Sequence, residues 1–302
     1  MNGFRVVRTE RVTVERPSAL EEMYTLSPYV WGEGDGYAVL LRLVPRRDDE
    51  PSQKISRIYL GSSKDGLNFK LGNRLPILAP GPGQEDRDGC EDPTLALVDG
   101  KAYVYYSGWN ETQAVGQMLL AQGPDIEHLT KKGIKLASTE AIQNPKEATL
   151  LQISDGTWRL FFEYSAEGAS KIGLASAPDV DGPWTLQNDP FAARPDQWDS
   201  WHLSPGPMLT ADPERPVMFY NGATKETVWR IGWVAFDADC ANVVARGESP
   251  LFEPPPPKGK ETDIAFAASC VEVGEEIWLY YSLADQHLFR TVLQPMAPQS
   301  VS

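Results

Sequence analysis

One pattern recurs five times along the chain and limits what the chain can fold into. A short strand runs into a turn, and then into a second strand of aromatic and aliphatic residues. The second strand reads YAVLLRL from Tyr37, AYVYYSGW from Ala102, WRLFFEYS from Trp158, PVMFYNG from Pro216 and IWLYYSL from Ile277. Their starts lie roughly 55 to 65 residues apart, a spacing that repeat arrays and propeller blades produce. Asp-Gly pairs at Asp35, Asp99 and Asp155 mark tight hairpins before three of the copies. A third strand follows, as in SRIYLGSSKDGLNF, GQMLLAQG, SKIGLASA and RIGWVAF. With 25 Gly and 25 Pro breaking the chain, long helices have no room. Three or four strands in each of five units predict an all-β fold, a five-bladed β-propeller with an axial active-site pocket.

The fifth unit is short of a strand. After IWLYYSL only HLFRTVL remains before a tail at 294–302, and FRVVRTERVTVER, near 4–16, alternates well enough to close the ring. No change in composition marks a second domain, so 1–302 is expected to be one domain. Charge narrows the partners. Lys and Arg total 28 against 42 Asp and Glu, a net −14, which repels phosphate backbones and anionic lipid heads. Neither nucleic acid nor a membrane is an expected partner. The sequence leaves an oligomer open. The three cysteines, Cys90, Cys240 and Cys270, lack zinc-site spacing. The first thirty residues hold charges throughout and no apolar core of a signal peptide, so a cytoplasmic location is expected.

In a propeller the first strand of each unit lines the axis, so the starts of the five first strands gather candidate site residues. They are Ser27-Pro28-Tyr29; Cys90 to Thr94, with Glu91 and Asp92; Asn144 to Glu147, with Lys146; His202 to Pro205; and Thr262 to Phe266, with Asp263. Each has a plain structural reading as well. Asp92 before Pro93 suits a turn, Glu147 beside Lys146 a solvated ion pair, and His202 an aromatic loop between Trp198, Trp201 and the next strand. Their joint placement at equivalent points of a repeat favours chemistry. Clustered carboxylates are what glycoside cleavage uses: one protonates the leaving oxygen and another activates the nucleophile. As an inverting pair, Asp92 and Glu147 would stand about 6.5–9.5 Å apart, and a separation within about 5.5 Å would count against inversion by this pair.

These residues carry a resemblance. GCEDPTLALVDGKAYVYYSGW resembles the Glu-Asp-Pro-Arg segment of glycoside hydrolase family 130, the inverting β-mannoside phosphorylases and mannosidases. YAVLLRL, IYLGSSKDGLNF, the run from Val228 to Pro254 and DIAFAASC are similar to other segments of that family, in the same order along the chain from about Ser27 to Leu293. The resemblance implies that Asp92 is the general acid, acting through a sugar hydroxyl, and that Glu91 helps hold the sugar. It implies no cofactor, with inorganic phosphate open as a co-substrate beside a small oligosaccharide. Arg42, Lys146, His202 and Arg230 are the basic residues available to phosphate, Asp263 is a further substrate contact, and Trp109 is placed to stack on a sugar. The chain departs from the motif at Thr94, where the family has Arg. A fixed guanidinium is a strong bidentate partner for anions, so its loss weakens phosphate binding. Glu147, beside Lys146, suits a base for water. Hydrolysis of a β-mannoside or similar hexoside is therefore expected over phosphorolysis, with a non-catalytic sugar-binding propeller as the remaining alternative.

Overall fold

The computed structural model describes residues 3–45, 55–72, 75–259 and 261–296; the outer part of the tail, 297–302, lies outside the described residues. The N-terminal segment forms β1 (Phe4–Arg11) and β2 (Thr13–Glu15). Blade 1 follows as β3 (Tyr24–Glu33), β4 (Gly36–Val44), β5 (Arg57–Ser63) and β6 (Asn68–Leu71). Blade 2 is β7 (Gly89–Val98), β8 (Lys101–Asn110), β9 (Val115–Gly123) and β10 (Thr130–Leu136). Blade 3 is β11 (Gln143–Gln152), β12 (Trp158–Ala166), β13 (Ala169–Ala177) and β14 (Thr185–Leu186). Blade 4 is broken into short pieces: β15 (His202–Ser204), β16 (Met208–Leu209), β17 (Val217–Met218), β18 (Asn221–Ala223), β19 (Trp229–Ile231), β20 (Val234–Phe236) and β21 (Val243–Arg246). Blade 5 is β22 (Ala265–Val273), β23 (Glu276–Leu283) and β24 (His287–Pro295). The architecture is the five-bladed propeller. The first strands neighbour one another in a ring: β3 on β7, β7 on β11, β11 on β16, β16 on β22, and β22 back on β3.

The recurring second strands explain themselves by burial. Each is covered on both faces by neighbouring blades, so it has no polar face to show. Side chains alternate along a strand, and consecutive residues therefore serve different interfaces. Tyr106 packs with Leu40 and Ile58 of blade 1, whereas Tyr105 packs with Leu160 and Phe162 of blade 3. Phe161 joins Met218 and Phe236 of blade 4. Tyr281 sits with Phe219 and Ile231 of blade 4, and Tyr280 with Leu41 and Tyr59 of blade 1. Every blade interface has its own apolar cluster. Blade 4 splits into two ladders, β15-β18-β19 and β16-β17-β20-β21. Between β15 and β16 stand Pro205 and Pro207, which have no N–H to give a ladder.

The N-terminal segment joins two blades. β1 pairs antiparallel with β24 and completes the fifth sheet. After Val12, which is buried, the chain crosses over, and β2 runs parallel to β6 of blade 1. The stretch near 4–16 is thus not one strand but two, with a different blade holding each.

A second set of contacts ties the first strands together. Tyr29 donates its hydroxyl to the Leu95 carbonyl (2.8 Å), Thr94 to Ala148 (2.5 Å) and Thr149 to Gly206 (2.9 Å). Asn221 bridges to the backbone of Ala267 in both directions, and Ser269 donates to Pro28 (2.6 Å). One side chain thus latches each blade to the next around the axis. Removing a buried donor leaves its carbonyl unsatisfied. Thr149→Val, which keeps the shape, is expected to cost about 1–3 kcal/mol, seen as a lower urea midpoint at unchanged slope. An unchanged midpoint would show that the latch contributes nothing to stability.

Candidate active site

The site is built where the ladders slip. Between β3 and β4 the register shifts from Leu26 to Tyr29, between β7 and β8 from Glu91 to Thr94, and between β11 and β12 from Lys146 to Thr149. Ser27, Asp92 and Glu147 lie in these bulges with φ of 48°, 49° and 53°. A left-handed backbone costs a non-glycine residue of order 1–3 kcal/mol, and bulges beside active sites re-aim side chains. Three blades hold a polar side chain at the axis at that cost. Ladder pairing puts Leu26, Glu91, Lys146, Ser204 and Phe266 at one level. They face Arg42, Ser107, Glu163, Asn221 and Ser282 on the second strands.

Arg42 lies between two acids. Its Nη2 is 2.6 Å from Glu91 Oε1, and Nη1 donates to Asp92 Oδ1 at 3.0 Å. Ser27 donates to the same Asp92 oxygen at 2.7 Å, and Ser56 donates to Glu91 Oε1 at 2.9 Å. The Asp92 and Glu147 carboxyls are hydrogen-bonded to each other, so they stand far closer than the separation that admits a water between an inverting pair. Burial pushes both acids up. For Asp92 the charges of Arg42 and Lys146 and the hydrogen bonds from Ser27 and Glu147 outweigh burial and hold its carboxyl below the usual range. For Glu147 the negative Asp92 adds to burial and raises its carboxyl well above the ordinary value. Two like charges in contact do not both ionise. The pair holds one proton, and it sits on Glu147.

Lys146 does not turn first to its sequence neighbour. Its Nζ lies 3.3 Å from Glu163 Oε1, and Glu163 is the largest cause of its raised pKa. Ser170 donates its hydroxyl to that same Glu163 oxygen at 2.7 Å, and its backbone N–H donates to His202 Nδ1 at 3.0 Å. An Nδ1 that accepts leaves the ring proton on Nε2. Burial lowers the pKa of His202, which keeps the ring neutral near pH 7. His202 stacks on Trp229 at 5.6 Å, and Trp229 in turn meets Phe266.

Arg42, Glu91, Trp109, Asn144 and Lys146 line a cavity of about 390 Å³, large enough for a small sugar. In it Trp109 is fixed by a 2.7 Å bond from Nε1 to Glu111. Arg230 and Asp263 form a separate ion pair at 2.8 Å, with Glu253 on the other side of the guanidinium, beside the His202–Trp229 stack. Trp198 packs on Tyr220 in the blade 4 core. A second cavity, about 470 Å³, opens at the other ends of the first strands, where Tyr29, Thr94, Thr149 and Ser269 line it and no Asp, Glu, Lys or Arg does. Of the two, only the first is lined by acidic and basic side chains. Thr94, in place of the motif arginine, is buried and occupied as a latch. Among the described residues no group of three or more His, Cys, Asp or Glu is arranged to hold a metal ion. No helix among them is long and apolar enough to cross a membrane.

Glu163 and Ser170 were not singled out in the sequence. The signal was present. Aligning the five second strands puts Arg42, Ser107, Glu163, Asn221 and Ser282 in one column, each just after two large apolar residues.

Comparison with known proteins places the chain. The model of glycoside hydrolase family 130, described as beta-1,4-mannooligosaccharide phosphorylase, matches residues 33–293. The chain belongs to glycoside hydrolase family 130. Members of that family are mannoside phosphorylases and hydrolases acting on β-mannosidic linkages. The chain is 27% identical over 248 residues to a 1,2-beta-oligomannan phosphorylase of Thermoanaerobacter sp. (strain X514), covering 80% of this chain and 79% of that one. Beta-1,2-mannobiose phosphorylase from Listeria innocua, solved with beta-1,2-mannobiose, superposes with a TM-score of 0.77 at 20% identity, over 97% and 91% of the two chains. A further structure is described under the finding that this family of mannoside phosphorylases contains glycoside hydrolases that target beta-1,2 mannosidic linkages in Candida mannan. It superposes with a TM-score of 0.74 at 20% identity, over 96% of each chain.

Proposed function

We propose that this chain hydrolyses a β-mannosidic bond in a small oligosaccharide, with water rather than phosphate as the nucleophile and inversion at the anomeric carbon. One observation carries the choice: the basic residues available to phosphate are already committed. Arg42 is held by Glu91 and Asp92, Lys146 by Glu163, and Arg230 by Asp263 and Glu253, while His202 is neutral. In the core of the site two positive charges, Arg42 and Lys146, meet three negative ones, Glu91, Asp92 and Glu163. A phosphate dianion entering such a pocket would lose its hydration and meet net negative charge. Water carries no such penalty.

The Asp92–Glu147 pair then works as one acid on the leaving-group side, not as acid and base facing each other across the sugar. The C1–O bond breaks with its electron pair leaving on the oxygen, which takes the shared proton. Water oxygen bonds to C1 from the opposite face, and the proton that water gives up passes to solvent, from which the pair is reprotonated. As the family resemblance implies, the shared proton travels by way of a sugar hydroxyl. Glu91 and Trp109 hold the sugar, one by hydrogen bonding and the other by stacking. Phosphorolysis is the second reading, favoured by the names of the oligomannan and mannobiose relatives. Free thiols at Cys90, Cys240 and Cys270 suit a reducing compartment such as the cytoplasm.

The test is a panel of β-mannosides, with β-1,2-mannobiose first, incubated with and without inorganic phosphate while NMR follows the products. The expected result is α-mannose as the first-formed anomer, at a rate indifferent to phosphate. Phosphate-dependent release of mannose 1-phosphate would overturn hydrolysis, and β-mannose appearing first would overturn inversion.

A further inference from the structure

We propose that Glu163 is a positioning residue that sets which nucleophile the pocket accepts, by engaging the Lys146 ammonium and, through Ser170, orienting His202. The inference rests on the hydrolytic reading and deepens it. Glu163 is 2% exposed and lies on the middle strand of blade 3, behind the residues that line the cavity. It holds the same second-strand level as Arg42. Its Oε1 is shared by the Lys146 Nζ and the Ser170 hydroxyl, and the Ser170 amide holds His202 Nδ1. One buried carboxylate therefore fixes two groups: the Lys146 ammonium, which lines the pocket and whose charge is answered from behind, and the His202 imidazole, which keeps its proton on Nε2 and stays uncharged. Lys146 is the accessible member, with 42% of its side chain exposed. An incoming anion competes with Glu163 for that ammonium, whereas water, being neutral, does not.

The arrangement makes a reversible prediction. Glu163→Gln keeps the shape and an acceptor for Ser170 but removes the negative charge, so Lys146 becomes available to an anion in the cavity. Inorganic phosphate titrated calorimetrically into the two folded proteins is expected to bind the variant about tenfold tighter or more, since a buried charge partner within 4 Å shifts such equilibria by at least that factor. Phosphate should then either inhibit mannoside cleavage competitively or yield sugar 1-phosphate. Adding Lys146→Gln to the variant should abolish the gain, and Glu163→Asp, which keeps the charge, should restore exclusion. Equal phosphate affinity in wild type and variant would sink the proposal and leave hydrolysis standing. Sugar 1-phosphate from the wild type would sink the hydrolytic reading, whatever the variant does. Should Glu163→Gln fail to fold, Ser170→Ala serves instead. It leaves the charge in place and gives the Glu163 oxygen wholly to Lys146, so phosphate is expected to bind about two- to threefold more weakly, and unchanged or tighter binding there would equally overturn the proposal.

Discussion

Asp92→Asn should lower kcat on a cleavable β-mannoside by about 10²–10⁴ while KM changes only a few-fold. The geometry makes this substitution a clean one. Asn tolerates the left-handed backbone that Asp92 adopts at φ 49°, better than most residues. Its Oδ1 can still accept from Ser27 and from Arg42 Nη1, so the strand and the latch at Thr94 need not move. What is lost is the group that exchanges a proton with Glu147. The Asp92 charge also helps to hold the proton on Glu147, so in the variant the Glu147 carboxyl falls toward its ordinary value. Two readings separate at this point. In an enzyme turnover collapses and sugar binding, followed by calorimetry, persists. A propeller that only binds sugar has no turnover to lose. Turnover within about threefold of wild type would remove Asp92 from the chemistry altogether.

Much of the fold was legible because the blades repeat. The doubly buried second strands announce themselves as apolar runs with no polar face, and five of them at near-regular spacing leave few architectures. What the pattern did not show was how the chain crosses at Val12, because β1 and β2 share one continuous alternation and only tertiary packing divides it between blades 5 and 1. The site was partly legible. Asp92, Glu147, Glu91 and Lys146 come together from two blades, as lining up the strand starts implied, and Arg42, named through the family resemblance, joins them from the second strand of blade 1. The partnership within that group was not legible, because adjacency in sequence suggested that Glu147 neutralises Lys146. In a strand, neighbours point to opposite sides, and the cross-strand residue is the natural partner. Lys146 stands opposite Glu163, and the bulge frees Glu147 to meet Asp92. Arg230 and Asp263 satisfy each other first, which no count of charges at the axis could reveal. Thr94 looked like a loss; the structure gives it a task of its own, donating to Ala148 in the ring of latches.

Glu147→Gln should abolish most activity, again by about 10²–10⁴, and at the same time flatten the dependence of stability on alkaline pH. The sign follows from the direction of the shift. Burial, and then Asp92, raise the folded-state pKa of Glu147 well above its ordinary 4.5. A carboxyl that prefers its proton in the folded state adds stability below the unfolded value, and this contribution is lost as pH rises through the folded one. Ionising Glu147 puts a second negative charge against Asp92 in a buried site, and the fold weakens. Glutamine keeps the size, carries no charge, and suits the same left-handed position no worse than glutamate. Relative to wild type the variant therefore gains stability as pH rises, which thermal midpoints taken across the pH range would show. The same titration governs catalysis, since the acid acts only while protonated. Wild-type kcat/KM should fall on the alkaline side as Glu147 loses its proton. A variant whose residual activity keeps the wild-type alkaline limb, or whose midpoints track wild type at every pH, would show that the proton resides elsewhere and that the pair is not the acid.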